Sequence, residues 1–128
     1  MNGTLALQNG RKMVCTNALT VSGTGTLGFG LNAPDSLDPA STSNSYLKVE
    51  GSCTIANGST IAVTDSGGLA PGAYLLVSAT SLSVSPATLV VDTSGVGEDG
   101  WSGTARVRRI ANTLVLQMVA AGTVIAIY

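Results

Sequence analysis

Residues 64–80 read Thr-Asp-Ser-Gly-Gly-Leu-Ala-Pro-Gly-Ala-Tyr-Leu-Leu-Val-Ser-Ala-Thr. A turn-rich start leads directly into an apolar run at residues 73–77. Pro71 fixes its own φ and Gly72 tolerates a positive φ, so the pair predicts a type II β-turn. The stretch therefore predicts a tight turn that feeds a strong β-strand, and it divides the chain into two parts of different character.

Before this stretch, apolar residues alternate with polar ones, which predicts strands with one covered face. The alternating sets are Leu5/Leu7, Leu19/Val21, Leu27/Phe29/Leu31, Leu47/Val49, Cys53/Ile55 and Ile61/Val63. After the stretch, the strand-like segments are apolar on both faces, which fits strands covered on both sides or strands in a subunit contact. These segments are residues 73–77, 89–92, 104–110, 113–119 and 123–128.

The composition favours a β fold. Charged residues make up 10% of the 128 residues, against about 25% in an average domain. The chain is rich in Gly, Thr, Ser and Val, which suits short strands joined by tight turns. We predict a single all-β domain over residues 1–128, with repeat-like coils at residues 1–66 and a closing, cap-like part at residues 67–128.

A short repeat recurs, in which Gly and then Thr or Ser precede an alternating apolar pair. The copies start at Gly3, Gly25, Gly58, Gly103 and Gly122. The first two are 22 residues apart, close to the length of one β-solenoid coil. The repeat therefore predicts a parallel β-helix or solenoid fragment, and the alternative is an antiparallel β-sandwich or jelly roll.

The charge pattern excludes some classes of partner. The net charge is −1, so the whole surface attracts neither nucleic acid nor an anionic membrane. No apolar run reaches the ~18 residues that a membrane-spanning helix needs. Few charges leave little repulsion between copies, which favours self-association. The first residues lack a basic start followed by an apolar core, so no leader is predicted in this chain, and we expect a longer precursor.

Nothing in the sequence indicates catalysis, a metal or a cofactor. The chain has no His, which removes the usual general base and the commonest metal ligand. The close carboxylate pairs, in turn-rich loops that favour solvation, are Asp35/Asp38 and Glu98/Asp99. Cys15 and Cys53 are interpreted as small buried hydrophobes, with a disulfide between them as the alternative. We predict that the protein is not an enzyme.

One basic cluster, Arg106, Arg108 and Arg109, offers a candidate contact surface. Strand alternation places Arg106 and Arg108 on one face and Arg109 on the other. A solvated face, or one paired with Glu98 or Asp99, is the favoured interpretation. The alternative is contact with an anion or a polysaccharide.

Two aromatic residues extend this candidate. Trp101 either covers the end of the core or stacks on a sugar ring. The residues proposed for ligand contact are Trp101, Arg106, Arg108 and Tyr46, and with them the alternative function is a carbohydrate-binding module.

The motifs carry a family resemblance. Residues 3–10 read Gly-Thr-Leu-Ala-Leu-Gln-Asn-Gly, residues 72–77 read Gly-Ala-Tyr-Leu-Leu-Val, and residues 112–116 read Asn-Thr-Leu-Val-Leu. With Trp101 between the last two segments, the chain resembles the C-terminal passenger region of bacterial autotransporter-type repeat proteins. The resemblance implies a right-handed parallel β-helix, secretion or display on a bacterial-type cell surface, and a structural or adhesive role.

These observations together predict a non-catalytic structural or adhesive segment at the cell surface or outside the cell. Its expected partners are further copies of itself, in oligomers or filaments, or the rest of a larger surface protein. A solenoid end without a polar cap exposes ladder groups that can template pairing. A polysaccharide is the further partner that the carbohydrate-binding alternative implies.

Overall fold

The computed structural model describes residues 3–7, 12–31, 44–65, 71–96 and 103–119. These residues are almost entirely β-strand, with one short 3-10 helix at Pro86–Thr88, which confirms the all-β prediction. The strands are β1 (Thr4–Leu7), β2 (Lys12–Cys15), β3 (Leu19–Val21), β4 (Thr26–Leu31), β5 (Tyr46–Ile55), β6 (Thr60–Asp65), β7 (Gly72–Val84), β8 (Val90–Gly95), β9 (Thr104–Ile110) and β10 (Thr113–Val119).

The strands form two sheets. The four-stranded sheet has the order β1-β4-β6-β8, and the six-stranded sheet has the order β2-β5-β7-β10-β9 with β3 also paired to β5. From β1 to β8 the chain passes back and forth between the two sheets. Every described pair is parallel except β7 with β10 and β10 with β9. This predominance of parallel pairing differs from the antiparallel sandwich considered as the alternative.

The Gly-Thr repeat of the sequence coincides with the strand register. Thr4 pairs with Thr26, and Thr26 pairs with Thr60, so three copies lie side by side at the starts of β1, β4 and β6. The backbone N–H of Thr26 donates to the carbonyl oxygen of Gly3 at 3.0 Å, and that of Thr60 donates to Gly25 at 3.0 Å. The repeat therefore marks one corner that recurs from strand to strand.

The core is built from apolar rows that run across the strands. Leu5, Leu27, Ile61 and Val91 occupy one register row of the four-stranded sheet, and Leu27 and Ile61 are fully buried. Corresponding rows of the six-stranded sheet include Cys53. One cluster of buried side chains joins the inner rows of both sheets. The alternating apolar residues of the sequence therefore form a single core, which is mainly aliphatic and also holds Phe29 and Tyr74.

The turn at the division of the chain differs from its prediction. Gly72 has φ of 148°, a value open to glycine but far from the ~80° that a type II turn requires at this position. The residue instead begins β7, which continues to Val84 and so extends well beyond the apolar run at residues 73–77. Pairing with β5 along the second half of β7 explains this extension.

The prediction that the later strands are covered on both faces holds for β10 and for the first half of β7. Leu75 and Val115 are buried there although they lie outside the core cluster. Within the chain it does not hold for β8 and β9, each of which leaves one face exposed, and a subunit contact at that face stays a prediction. Among the described residues, each of these two strands also has a ladder partner on one edge only. The segment at residues 123–128 lies outside the described residues.

Candidate binding site beside strand β9

β9 and β10 form a hairpin whose two-residue turn is Ala111 and Asn112. Ala111 has φ of 53°, a left-handed conformation that such tight turns require and that only glycine adopts without strain. Because β10 pairs with β7 on its other side, β9 is the last of the described strands in the six-stranded sheet. Two successive antiparallel pairings also make β9 run in the same direction as β7.

The hairpin places the predicted arginines on the two faces of β9. Arg106 pairs with Gln117 and Arg108 with Val115, so both arginines share the outer face, about 7 Å apart along the strand. Arg109 pairs with Leu114 on the inner face. Its Nε donates a hydrogen bond of 2.8 Å to the carbonyl oxygen of Ala111, which fixes it at the hairpin turn.

A cavity of about 750 Å³ lies along β9. Its remaining wall comes from β8 and from the segment with the short helix that precedes it. The lining residues are Pro86, Ala87, Leu89, Val91, Ala105, Arg106, Val107, Arg108 and Arg109. A volume of this size falls within the usual range of ligand sites.

The strand order explains why this cavity exists. In the four-stranded sheet, β8 is the fourth strand. In the other sheet, β10 occupies the fourth place and β9 therefore occupies the fifth. Because β2 and β3 both pair along β5, they share the first place in the six-stranded sheet. That sheet therefore has five places against four, and it is about 4.8 Å longer across its strands than the four-stranded sheet. No described strand lies beside β8 at the level of β9, and the cavity occupies this step between the ends of the two sheets.

Within the described residues, no carboxylate forms an ion pair with Arg106 or Arg108. The predicted acidic partners, Glu98 and Asp99, lie outside the described residues. A second, smaller cavity of about 250 Å³ on the outer face is lined by Arg106, Arg108, Gln117 and Val119. The same two arginines thus border both cavities, one on each side of the β9 edge.

Of the other proposed contact residues, Tyr46 lies apart from the arginines and Trp101 lies outside the described residues. Tyr46 starts β5, three strand positions from β9 in the same sheet, or roughly 14 Å. Its hydroxyl is hydrogen-bonded to Ser78 Oγ on β7. The structure therefore brings together Arg106 and Arg108, and it adds Gln117.

The two cysteines are free thiols. Cys53 is buried in β5, and Cys15 is half-buried in β2, where its Sγ donates to the carbonyl oxygen of Asn17 at 3.4 Å. Burial, followed by the proximity of Cys15, raises the pKa of Cys53 from 9.0 to about 11. A thiol with so high a pKa is protonated at neutral pH and is a poor nucleophile.

Metal ligands do not converge in the described ranges, which contain no group of three or more His, Cys, Asp or Glu side chains placed to hold an ion. The pair Asp35 and Asp38 lies outside them.

Sequence reasoning missed the cavity and the role of Gln117. The arginine cluster was visible from its spacing, but its apolar wall comes from residues 86–91, which lie in a different part of the chain. Only the insertion of β10 between β7 and β9 brings these segments together. No local pattern indicates that insertion.

Comparison of the chain with protein-family models, with curated proteins and with solved structures finds no match. Within the described ranges, no helix has the length and apolar character needed to cross a bilayer.

Proposed function

We propose that the protein is a non-catalytic structural segment that associates through the unpaired strands at its two ends. The observation that carries the proposal is the position of its exposed large apolar side chains. Among the described residues these are Met13, Val14, Val90 and Ile110. All four lie on β2, β8 or β9, which stand at the ends of their sheets in the part of the chain that the structure describes.

Unpaired end strands offer both backbone and apolar contacts to another chain. Each presents a row of N–H and C=O groups that can pair with a further strand. Val14 is 52% exposed and Val90 is 51% exposed. Association through these strands would therefore also remove apolar surface from water. Further copies of the chain, or the rest of a larger surface protein, are the proposed partners.

We further propose that the two sheets are two faces of a right-handed parallel β-helix, with each coil contributing a strand to each sheet. The passage of the chain between the sheets, the parallel ladders and the aligned Gly-Thr corners support this architecture. The architecture is in turn the basis for a secreted or surface location, as in the passenger regions that the sequence resembles. An experimental structure in which the chain winds with left-handed connections would contradict the proposal.

Sedimentation velocity over a wide range of protein concentration tests the association. We expect the weight-average mass to rise with concentration. The substitution Val14→Lys should weaken association about tenfold or more, because it places a charge at a contact between end strands. Thr54→Lys is the matched control, since Thr54 is exposed on β5, which has strands on both sides.

Two results would contradict the association proposal. One is a mass that stays monomeric throughout the concentration range. The other is an equal effect of Val14→Lys and Thr54→Lys, which would assign the change to net charge instead of to the end strand.

The small cavity of the outer face supports a second candidate, binding of an acidic polysaccharide. Arg106, Arg108 and Gln117 supply charged and neutral hydrogen-bond donors around it, and sugars are recognised by such donors. Binding of an oligouronate that is lost in the double variant Arg106→Glu/Arg108→Glu would support this function.

A further inference from the structure

The large cavity beside β9 has the features of a strand-binding groove. Five consecutive residues of β9, residues 105–109, line it, so the strand presents its length to the cavity. In the described part of the chain, β9 has a ladder partner on one edge only, and so has β8. The cavity therefore adjoins unpaired backbone, which an extended peptide can satisfy by adding a strand.

The two sides of the groove differ in chemistry. Leu89, Val91 and Val107 make the inner side mainly apolar, and each belongs to the core cluster or packs against it. Arg109 also lines the cavity from this face, with its Nε bound to the carbonyl oxygen of Ala111 at the hairpin turn. Arg106 and Arg108 form a cationic outer side. Because successive side chains of a strand point to opposite faces, a peptide bound along β9 would direct alternate side chains to these two sides.

We propose that this groove binds an extended segment of another polypeptide in which apolar and acidic residues alternate. The apolar side chains contact Leu89, Val91 and Val107, and the carboxylates pair with Arg106 and Arg108. Arginine suits this role because its planar guanidinium binds a carboxylate through two parallel hydrogen bonds. The proposal rests on the proposed function, in which the end strands are the interaction surfaces, and it names the partner's chemistry at one end.

Charge makes the opposite end of a second copy a poor occupant. β2, the end strand there, reads Lys-Met-Val-Cys and begins with Lys12. Lys12 adds positive charge to that end, and like charges in a contact reduce affinity. A polysaccharide is also a weaker match, because it lacks the regular backbone amides that pair with a strand edge.

Two synthetic hexapeptides test the proposal, one alternating Val and Glu and the other alternating Val and Lys. Titration calorimetry at a protein concentration where the chain is monomeric gives the affinities, and amide chemical shifts locate the binding. We expect the Val/Glu peptide to bind about tenfold or more tightly than the Val/Lys peptide. The shift changes should concentrate in residues 104–110, and binding should weaken as salt rises.

A charge-reversal variant makes the test specific. Arg106→Glu/Arg108→Glu should invert the preference, so that the Val/Lys peptide binds more tightly. Both side chains are exposed, so circular dichroism should show an unchanged fold. Lys48→Glu is the matched control, because Lys48 is an exposed base on β5, and this variant should retain the preference for Val/Glu.

The outcomes separate this proposal from the proposed function. Self-association without peptide binding overturns the groove proposal alone, whereas peptide binding by a chain that is always monomeric overturns self-association alone. Equal binding of both peptides, or a preference that the charge reversal leaves unchanged, overturns the groove. Binding of an oligouronate at β9 without binding of the Val/Glu peptide assigns the arginines to an acidic polysaccharide and also overturns it.

Discussion

Ala111 adopts a strained backbone conformation at a tight turn. Its φ of 53° brings its Cβ close to the carbonyl oxygen that follows, and this crowding costs roughly 1–2 kcal/mol for a residue with a side chain. The tight connection between β9 and β10 requires this conformation. The hairpin ladder pairs seven residues of β9 with seven of β10 and keeps the turn in this conformation despite the strain.

We predict that Ala111→Gly stabilises the protein. Glycine removes the steric cost but adds conformational entropy to the unfolded chain, about 0.5–1 kcal/mol. The net gain in the free energy of unfolding should therefore be about 0.5 kcal/mol, measured by urea denaturation. Ala18→Gly, at an exposed position without positive φ, should instead destabilise. A loss of stability in Ala111→Gly would show that the turn is not strained.

Ser59 is a fully buried polar residue whose hydroxyl finds two acceptors. Its hydroxyl lies 2.8 Å from the carbonyl oxygen of Ser22 and 2.7 Å from that of Ala56. A serine enclosed in this way serves the corner between the sheets.

At the scale of elements, Asn112 joins the β9–β10 hairpin to the long strand β7. Its Nδ2 donates to the carbonyl oxygen of Thr80 at 3.1 Å, and its Oδ1 accepts from the N–H of Leu82 at 3.2 Å. The N–H of Ala79 also donates to the carbonyl oxygen of Asn112 at 3.0 Å. The turn thus satisfies the backbone of β7 where its pairing with β10 ends.

We predict that Asn112→Ala lowers the free energy of unfolding by about 2 kcal/mol. The substitution removes two hydrogen bonds and leaves the N–H of Leu82 without its acceptor, which costs more than the loss of an exposed bond. Asn57→Ala removes one exposed bond to Thr88 and should cost less than about 1 kcal/mol. Thermal or chemical denaturation measures both, and equal costs would contradict this role of Asn112.

The strands of the hairpin could be predicted from local pattern, but their place in the sheet could not. Alternation and the absence of helical period located β9 and β10 at residues 104–110 and 113–119, where the structure has them. The same evidence suggested that β9 is covered on both faces. In the chain itself the outer face of β9 is exposed, and the place of β9 in the order β7-β10-β9 depends on contacts between distant segments.

The candidate site could likewise be predicted only in part. The spacing of Arg106 and Arg108 indicated that they share a face, whereas Gln117 and the apolar wall at residues 86–91 depend on the strand order. Tyr46 was proposed as a ligand-contact residue without a sequence pattern that places it near the arginines. Strand order instead places it three positions away from β9.

At the scale of the whole molecule, the two ends are chemically different but carry charge of the same sign. β2 contributes Lys12 to one end, and β9 contributes Arg106 and Arg108 to the other. Met13 and Val14 accompany Lys12 on β2, and Ile110 accompanies the arginines on β9, whereas Val90 lies on β8 with the exposed Asp92. Contact between unlike ends of two copies therefore combines apolar attraction with charge repulsion.

We predict that self-association strengthens with ionic strength. Raising the salt from about 0.01 M to about 0.15 M shortens the screening length from ~30 Å to ~8 Å, which weakens the repulsion between the basic ends. Sedimentation equilibrium at the two salt concentrations measures the change. Weaker association at the higher salt would contradict unlike-end contact and would indicate an attractive ion pair between the copies.

The unequal strand number of the two sheets has a consequence for assembly. A rigid copy that extended the six-stranded sheet past β9 would leave an unfilled gap, one strand wide, beside β8. Growth by identical copies would repeat that gap at every joint, and each gap would weaken the column. A single strand that pairs with β8 fills the first gap and makes the end level, whereas one that pairs with β9 deepens the step, so the strand that is extended decides whether a column continues or ends.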